Sequence, residues 1–336
     1  MTGLCVRCAH LVFPLRPSCV RAATELRSCC DRLVTADDIT RRGSHRYRFR
    51  MNKSGFVLAV ASLATIGGAS AQAPSAAPVP GATIGSVSVR VGEQTLTMPY
   101  RLMEPTEADP GEQFPLVVFL HGAGERGTDG DTALKHLGPV LATREMRTKH
   151  PCYVLAVQCP RDQTWVEPDP RTLNPTMTEQ PSMTIRGVMA AMDQVIKDRA
   201  VDRERIYLTG LSLGGYGAWD IAIRRPEMFA AVVPICGGGD PTKAALLKDT
   251  PIQVWHGSLD GSVPVARSRD MVKALKDAGA TVDYREIRNG GHDAWVEAYQ
   301  PNAAIAFMFK QVRDAPKPAS VPAGGTAGDP DARSSD

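Results

Sequence analysis

Ser212 lies in the run Gly210-Leu211-Ser212-Leu213-Gly214, with another glycine at 215. A serine hydroxyl is a weak nucleophile until a neighbouring base takes its proton. The run falls where an apolar segment at Ile206–Leu208 ends and a helical pattern, Leu213–Arg224, begins. A G-x-S-x-G pentapeptide on a strand-to-helix turn holds its serine on a strained backbone, with the hydroxyl projecting from the sheet edge. Glycines at 210 and 214 omit Cβ atoms that would collide where strand and helix pass. The N–H of Leu213, at the helix start, points to where an oxyanion would develop.

The base expected for this serine is His292, in Asn289-Gly290-Gly291-His292-Asp293, a loop just after the last apolar run. His121 belongs to a different site element, His256 ends a strand too near the candidate acid, and His136 and His150 precede the serine. A histidine base needs an orienting carboxylate. Asp260, in His256-Gly257-Ser258-Leu259-Asp260-Gly261-Ser262-Val263-Pro264, is the first choice, and Asp240 remains a rival. Asp293, beside the histidine, cannot easily turn back onto its neighbour's ring. The fourth element is His121-Gly122-Ala123-Gly124-Glu125-Arg126-Gly127, whose three glycines leave the backbone open to aim an N–H at an oxyanion. Ala123 is the expected donor beside Leu213, with Gly124 second. No lysine follows at P-loop spacing and no G-x-G-x-x-G is present, so a phosphate cradle does not fit. Glu125 and Arg126 either touch substrate or only hold the loop.

These residues need a scaffold. Ser86–Val91 and Gln94–Met103 alternate polar and apolar residues about Gly92-Glu93 and read as an antiparallel hairpin. Short apolar runs follow at Pro115–Leu120, Tyr153–Val157, Ile206–Leu208, Ala230–Ile235, Ile252–Trp255 and Val282–Ile287. Such runs suit a parallel sheet covered on both faces. Helical stripes lie between them at Ser182–Lys197, Leu213–Arg224, Pro264–Ala278 and Ala303–Val312. Strand–helix alternation predicts a doubly wound, mostly parallel α/β sheet led by the antiparallel hairpin.

The ends read differently. Met51–Ala71 has a lysine at 53, an apolar stretch and a small-residue end, the pattern of a secretory signal peptide. Export to the periplasm or medium follows, with translation beginning at Met51 and residues 1–50 a misassigned start or extension. Residues 72–81 form a linker, 82–312 the catalytic domain and 313–336 a disordered tail. The chain carries +3 overall, but residues 72–336 hold 28 Lys+Arg and 32 Asp+Glu, so 28 − 32 = −4. The positive balance therefore sits in the first segment, and nothing in the remainder suggests nucleic acid or stable membrane insertion. Cys152 and Cys159 flank one strand, about 23 Å apart if extended, beyond disulfide reach. Buried free thiols are expected there and at Cys236.

The HGAGERG loop, Gln158-Cys159-Pro160 with Trp165, GLSLGG, HGSLDGSVP and GGHDAW together resemble secreted esterases of the α/β-hydrolase superfamily. The similar groups are phospholipase/carboxylesterase-like, dienelactone-hydrolase-like and poly(3-hydroxybutyrate)-depolymerase-like, and the likeness covers about residues 86–310. It implies an α/β-hydrolase fold, the chain order Ser212, Asp260, His292, and a two-step acyl transfer needing no cofactor and no metal. Only Gly237–Pro251 separates two strands where relatives insert a cap, so no cap domain fits. The stretch Pro160–Pro181 is expected to wall the cleft with Trp165 facing it, and Trp295 to form another wall. An uncapped cleft would suit bulky or polymer-attached esters. A serine peptidase resembling the prolyl-oligopeptidase catalytic domain is the alternative, weakened because roughly ten residues before the hairpin cannot supply a propeller.

Overall fold

The structure, a computed structural model, describes residues 79–167 and 176–313. The expected extension (1–50), signal peptide (51–71) and most of the linker and tail lie outside the described residues. Eight strands form one sheet: β1 (Ala82–Val91), β2 (Gln94–Met103), β3 (Phe114–Leu120), β4 (Tyr153–Val157), β5 (Val201–Leu211), β6 (Ala231–Ile235), β7 (Ile252–Gly257) and β8 (Val282–Ile287). Their order is β1-β2-β4-β3-β5-β6-β7-β8. β1 and β2 pair antiparallel through a continuous register from Ala82↔Met103 to Val91↔Gln94. β2 pairs antiparallel with β4, and every remaining pairing is parallel. This is the expected doubly wound sheet with its antiparallel leading edge.

Among the described residues the helices are α1 (Gly138–Leu141), α2 (Arg144–Lys149), α3 (Met183–Asp198), α4 (Leu213–Arg224), α5 (Ala266–Asp277), α6 (Trp295–Ala298) and α7 (Ala304–Phe309). They cover both faces, which is why the central strands read as continuous apolar runs. Along β3 the side chains alternate between two cores. Leu116, Val118 and Leu120 pack with Ile185, Val188 and Met192 of α3 and Trp219 of α4. Val117 and Phe119 pack with Leu137, Met146, Ile305 and Met308 on the other side. α3 starts where Ser182 Oγ accepts the N–H of Ile185, a side-chain cap satisfying one of the first-turn donors.

The topology places a crevice. From β3 the chain moves to β4 on one side, then returns to β5 on the other. In open α/β sheets ligands bind where the strand order reverses, beyond the carboxyl ends of the strands. The loop after β3 is His121–Gly127 and the turn after β5 is Ser212, so both motifs meet there. Between β6 and β7 lies only a 3₁₀ turn, Pro241–Leu247, so no cap domain stands there. No helix among the described residues is long and apolar enough to cross a membrane.

Candidate active site

β5 ends at Leu211 and α4 begins at Leu213, which leaves Ser212 alone on the turn at φ 54°, ψ −119°. Such a conformation costs a non-glycine residue of order 1–3 kcal/mol and persists only where its surroundings enforce it. The enforcing contacts are visible. Ser212 N–H donates to Ile235 O at 2.9 Å, and Gly215 N–H donates to Ser212 O at 2.9 Å. A Cβ on Gly210 would overlap the Gly214 carbonyl oxygen, and one on Gly214 would overlap that of Leu120. Strand and helix are therefore in backbone contact, and no larger residue fits at either position.

From the serine runs an unbroken chain of hydrogen bonds. Ser212 Oγ lies 2.8 Å from His292 Nε2, and His292 Nδ1 lies 2.7 Å from Asp260 Oδ2. Asp260 Oδ1 accepts the N–H groups of Ser262 (2.8 Å) and Val263 (2.9 Å). Burial pushes the Asp260 carboxyl up, but the His292 bond and these two amides outweigh it and hold the group below its ordinary range. With the carboxylate ionised, Nδ1 carries the imidazole proton and Nε2 is left to accept from the serine. Asp240 is not part of this chain. It caps the 3₁₀ turn through Thr242 N–H (3.0 Å), accepts Met177 N–H (3.0 Å), and lines a separate small pocket with Asp220.

Ser212 opens onto a cleft of about 880 Å³ whose lining includes Ala123, Arg126, Leu213, Tyr216, His292 and Trp295. Leu213 opens α4 and Ala123 opens a short 3₁₀ turn, so neither N–H has an acceptor within its own element. Trp295 stands edge-on to His292, ring centres 5.4 Å apart, and 5.5 Å from His136. Trp165 is elsewhere: contrary to expectation it is wholly buried in the core against α3 and α4. Its indole N–H needs a partner once buried, and donates to His121 O at 3.0 Å. Among the described residues of that segment, Thr164 lines the cleft instead; residues 168–175 of the expected wall lie outside the described residues.

The His121–Gly127 loop is held by the buried side chains of Gln158, His121 and Glu125. Gln158 Oε1 accepts Gly130 N–H (2.6 Å), while its Nε2 donates to Glu125 O and Thr132 Oγ1, both at 3.0 Å. His121 is buried. Its Nδ1–H donates to Gly122 O (2.7 Å) and its Nε2 accepts Cys159 N–H (3.0 Å), which fixes one neutral tautomer. Burial drives its pKa down to about 4, ahead of the opposing bond to Gly122. Glu125 is buried and meets Lys135 Nζ (3.2 Å) and His136 Nε2 (3.1 Å). It holds the loop. Burial alone would raise its carboxyl, but His136 and Lys135 prevail and set it at about 2. A carboxylate depressed on folding stabilises above its unfolded pKa and loses that contribution as pH falls through the folded one. Glu125→Gln is therefore expected to cost about 1–3 kcal/mol near neutrality, the difference fading between pH 4.5 and about 2 in urea melts.

Cys152, Cys159 and Cys236 are all free and buried, as expected, and burial raises each thiol to about 12. None is a thiolate nucleophile at neutral pH. Among the described residues one set of potential metal donors comes within 4.8 Å: Cys236, His256 and Asp260. The nitrogens of His256 and the carboxylate of Asp260 are already occupied by protein hydrogen bonds.

The fold is that of the α/β-hydrolases. The dienelactone hydrolase family matches residues 160–306, somewhat under half of the chain. A crystal structure of a thermostable esterase aligns with 39% identity and TM-score 0.63, covering 68% of this chain and 63% of that one. A protein of Oryza sativa subsp. japonica named a probable inactive carboxylesterase is 23% identical, over 56% of this chain and 82% of its own. Poly(3-hydroxyalkanoate) depolymerase C of Paucimonas lemoignei is 25% identical, over 47% and 44% respectively. The chain thus spans less than two thirds of the esterase structure and of the depolymerase.

Proposed function

We propose that this chain is an exported serine carboxylesterase. The observation that carries the reading is the Asp260–His292–Ser212 hydrogen-bond chain at the floor of the cleft, with Ser212 forced into its strained turn. His292 takes the Ser212 proton as Oγ attacks the ester carbonyl, and Asp260 stabilises the imidazolium. The tetrahedral oxyanion is held by the N–H groups of Ala123 and Leu213. His292 returns the proton to the departing alcohol, which leaves acyl-Ser212. Water, deprotonated by His292, then releases the acid and restores the serine. Trp295 stands edge-on to His292 in the cleft lining, and a cleft with only a 3₁₀ turn between β6 and β7 suits bulky or polymer-attached esters.

The test uses protein recovered from the periplasm or medium, whose N-terminus is expected at Gln72 if the leader is cleaved after Ala71. It is assayed on p-nitrophenyl esters of rising acyl size and on an aminoacyl p-nitroanilide. Ester turnover without anilide turnover is expected. Faster cleavage of the anilide would assign the same residues to a peptidase, and esters larger than butyrate turned over no better than acetate would remove the bulky-substrate reading.

A further inference from the structure

His256, next to last in β7, is wholly buried, yet both its ring nitrogens are engaged. Nε2 lies 3.0 Å from the Val263 carbonyl oxygen and 3.3 Å from Asp260 Oδ2. Both partners are acceptors while Asp260 is ionised, so Nε2 carries a proton. Nδ1 lies 2.7 Å from Ser268 Oγ on α5. Burial, the largest influence on this ring, disfavours its charged form. A neutral ring with Nε2–H has Nδ1 as acceptor, and the Ser268 hydroxyl supplies its proton there. The alternative acceptor for that hydroxyl, Gly237 O, is farther at 3.1 Å.

The turn closes on itself through Val263. Its N–H donates to Asp260 Oδ1 (2.9 Å) while its carbonyl accepts from His256. Asp260 Oδ2, the oxygen that faces His292, is the one His256 also approaches. We propose that His256 is a positioning residue: its Nε2–H, donated to the Val263 carbonyl with the ring locked from behind by Ser268, holds the turn whose Val263 N–H fixes Asp260 Oδ1 and so presents Oδ2 to His292. This rests on the Ser212–His292–Asp260 reading and adds a fourth residue to it. Loosening that turn would shift the carboxylate relative to His292, and small misplacements of catalytic groups are costly. The titratable and charged groups about His256 are Asp260, His292, the Cys236 thiol and Glu286, the last paired with Arg269.

Two amide variants separate positioning from packing. His256→Gln keeps a donor at the reach of Nε2, whereas His256→Asn keeps an amide near Ser268 but is too short to reach the Val263 carbonyl. Turnover of p-nitrophenyl acetate is measured per site titrated with a fluorophosphonate, so that misfolded protein does not count. His256→Asn is expected to lower kcat on the order of 10–100-fold with KM within about twofold, and His256→Gln to recover most of it. With the Val263 carbonyl released, the Val263 N–H holds Asp260 Oδ1 less firmly and the carboxylate charge falls more fully on His292, so the acid limb of the kcat/KM profile moves to higher pH in His256→Asn. Equal kcat per titrated site in both variants with an unmoved limb would overturn the proposal and leave His256 a packing residue. If His256→Asn fails to fold, Ser268→Ala decides: the same loss and limb shift support the proposal, and wild-type values overturn it. Wild-type protein without Ser212-dependent ester hydrolysis would instead defeat the esterase reading itself.

Discussion

Ser212→Ala is expected to lower ester turnover by at least about 10⁴-fold while the protein folds and melts as before. The first half follows from the chemistry. Oγ is the atom that would carry the acyl group, and its one side-chain hydrogen bond is to His292 Nε2. Without it the cleft retains only substrate binding and the oxyanion donors, which accelerate hydrolysis modestly on their own. The second half follows from how the turn is held. The strain at residue 212 is enforced by backbone contacts to Ile235 and Gly215, and by the Gly210–Gly214 and Gly214–Leu120 approaches. None of these involves the hydroxyl, so alanine inherits the same conformation at similar cost. The measurements are kcat/KM on p-nitrophenyl acetate, covalent labelling by a fluorophosphonate, and a thermal melt. More than trace activity in a folded variant would move the nucleophile elsewhere. The three buried thiols, each near pKa 12, are poor replacements.

The serine turn was legible in the sequence because its constraints are local. Gly210, Ser212 and Gly214 lie within five residues, and the strand and helix they join are each long enough to show their period. His292 was legible for a similar reason, since glycines at 290 and 291 mark a loop. The charged start of β5, Asp202-Arg203-Glu204-Arg205, was not: Val201 pairs with Phe114 and the pairing resumes only at Ile206 with Leu116, so these four residues bulge between the two. A bulge carrying charged side chains has no strand period to read. Trp165 was not legible either. An indole at a cleft wall and one in a core have the same sequence signature. What settles it is an acceptor at His121 O, 44 residues away. The partners of Gln158, and Lys135 and His136 as the partners of Glu125, were not legible, because buried polar networks have no period to read. The free histidine candidates show the converse. His121 and His256 look as reactive as His292 in sequence, yet both ring nitrogens of each are committed to buried partners.

Asp260→Asn is expected to reduce kcat/KM about 10⁴-fold, and Asp240→Asn to leave it near wild type. The asymmetry is one of proton placement. In Asp260→Asn the side-chain carbonyl goes to the N–H groups of Ser262 and Val263, which can bond only to an acceptor. The amide NH₂ then faces His292 Nδ1 at the place Oδ2 held at 2.7 Å. A donor there forces Nδ1 to accept, so the imidazole proton moves to Nε2, the nitrogen beside Ser212 Oγ. The ring keeps its position and loses its function, because Nε2 can no longer take the serine's proton. At Asp240 the same exchange disturbs a cap. Its two oxygens accept Thr242 N–H and Met177 N–H, and one amide end meets a donor it cannot bond. That costs about 1 kcal/mol of stability, visible as a lower melting temperature, with no path to His292. The two variants assayed side by side on one ester distinguish the carboxylates, and the opposite outcome, an active Asp260→Asn beside an inert Asp240→Asn, would transfer the acid's role to Asp240.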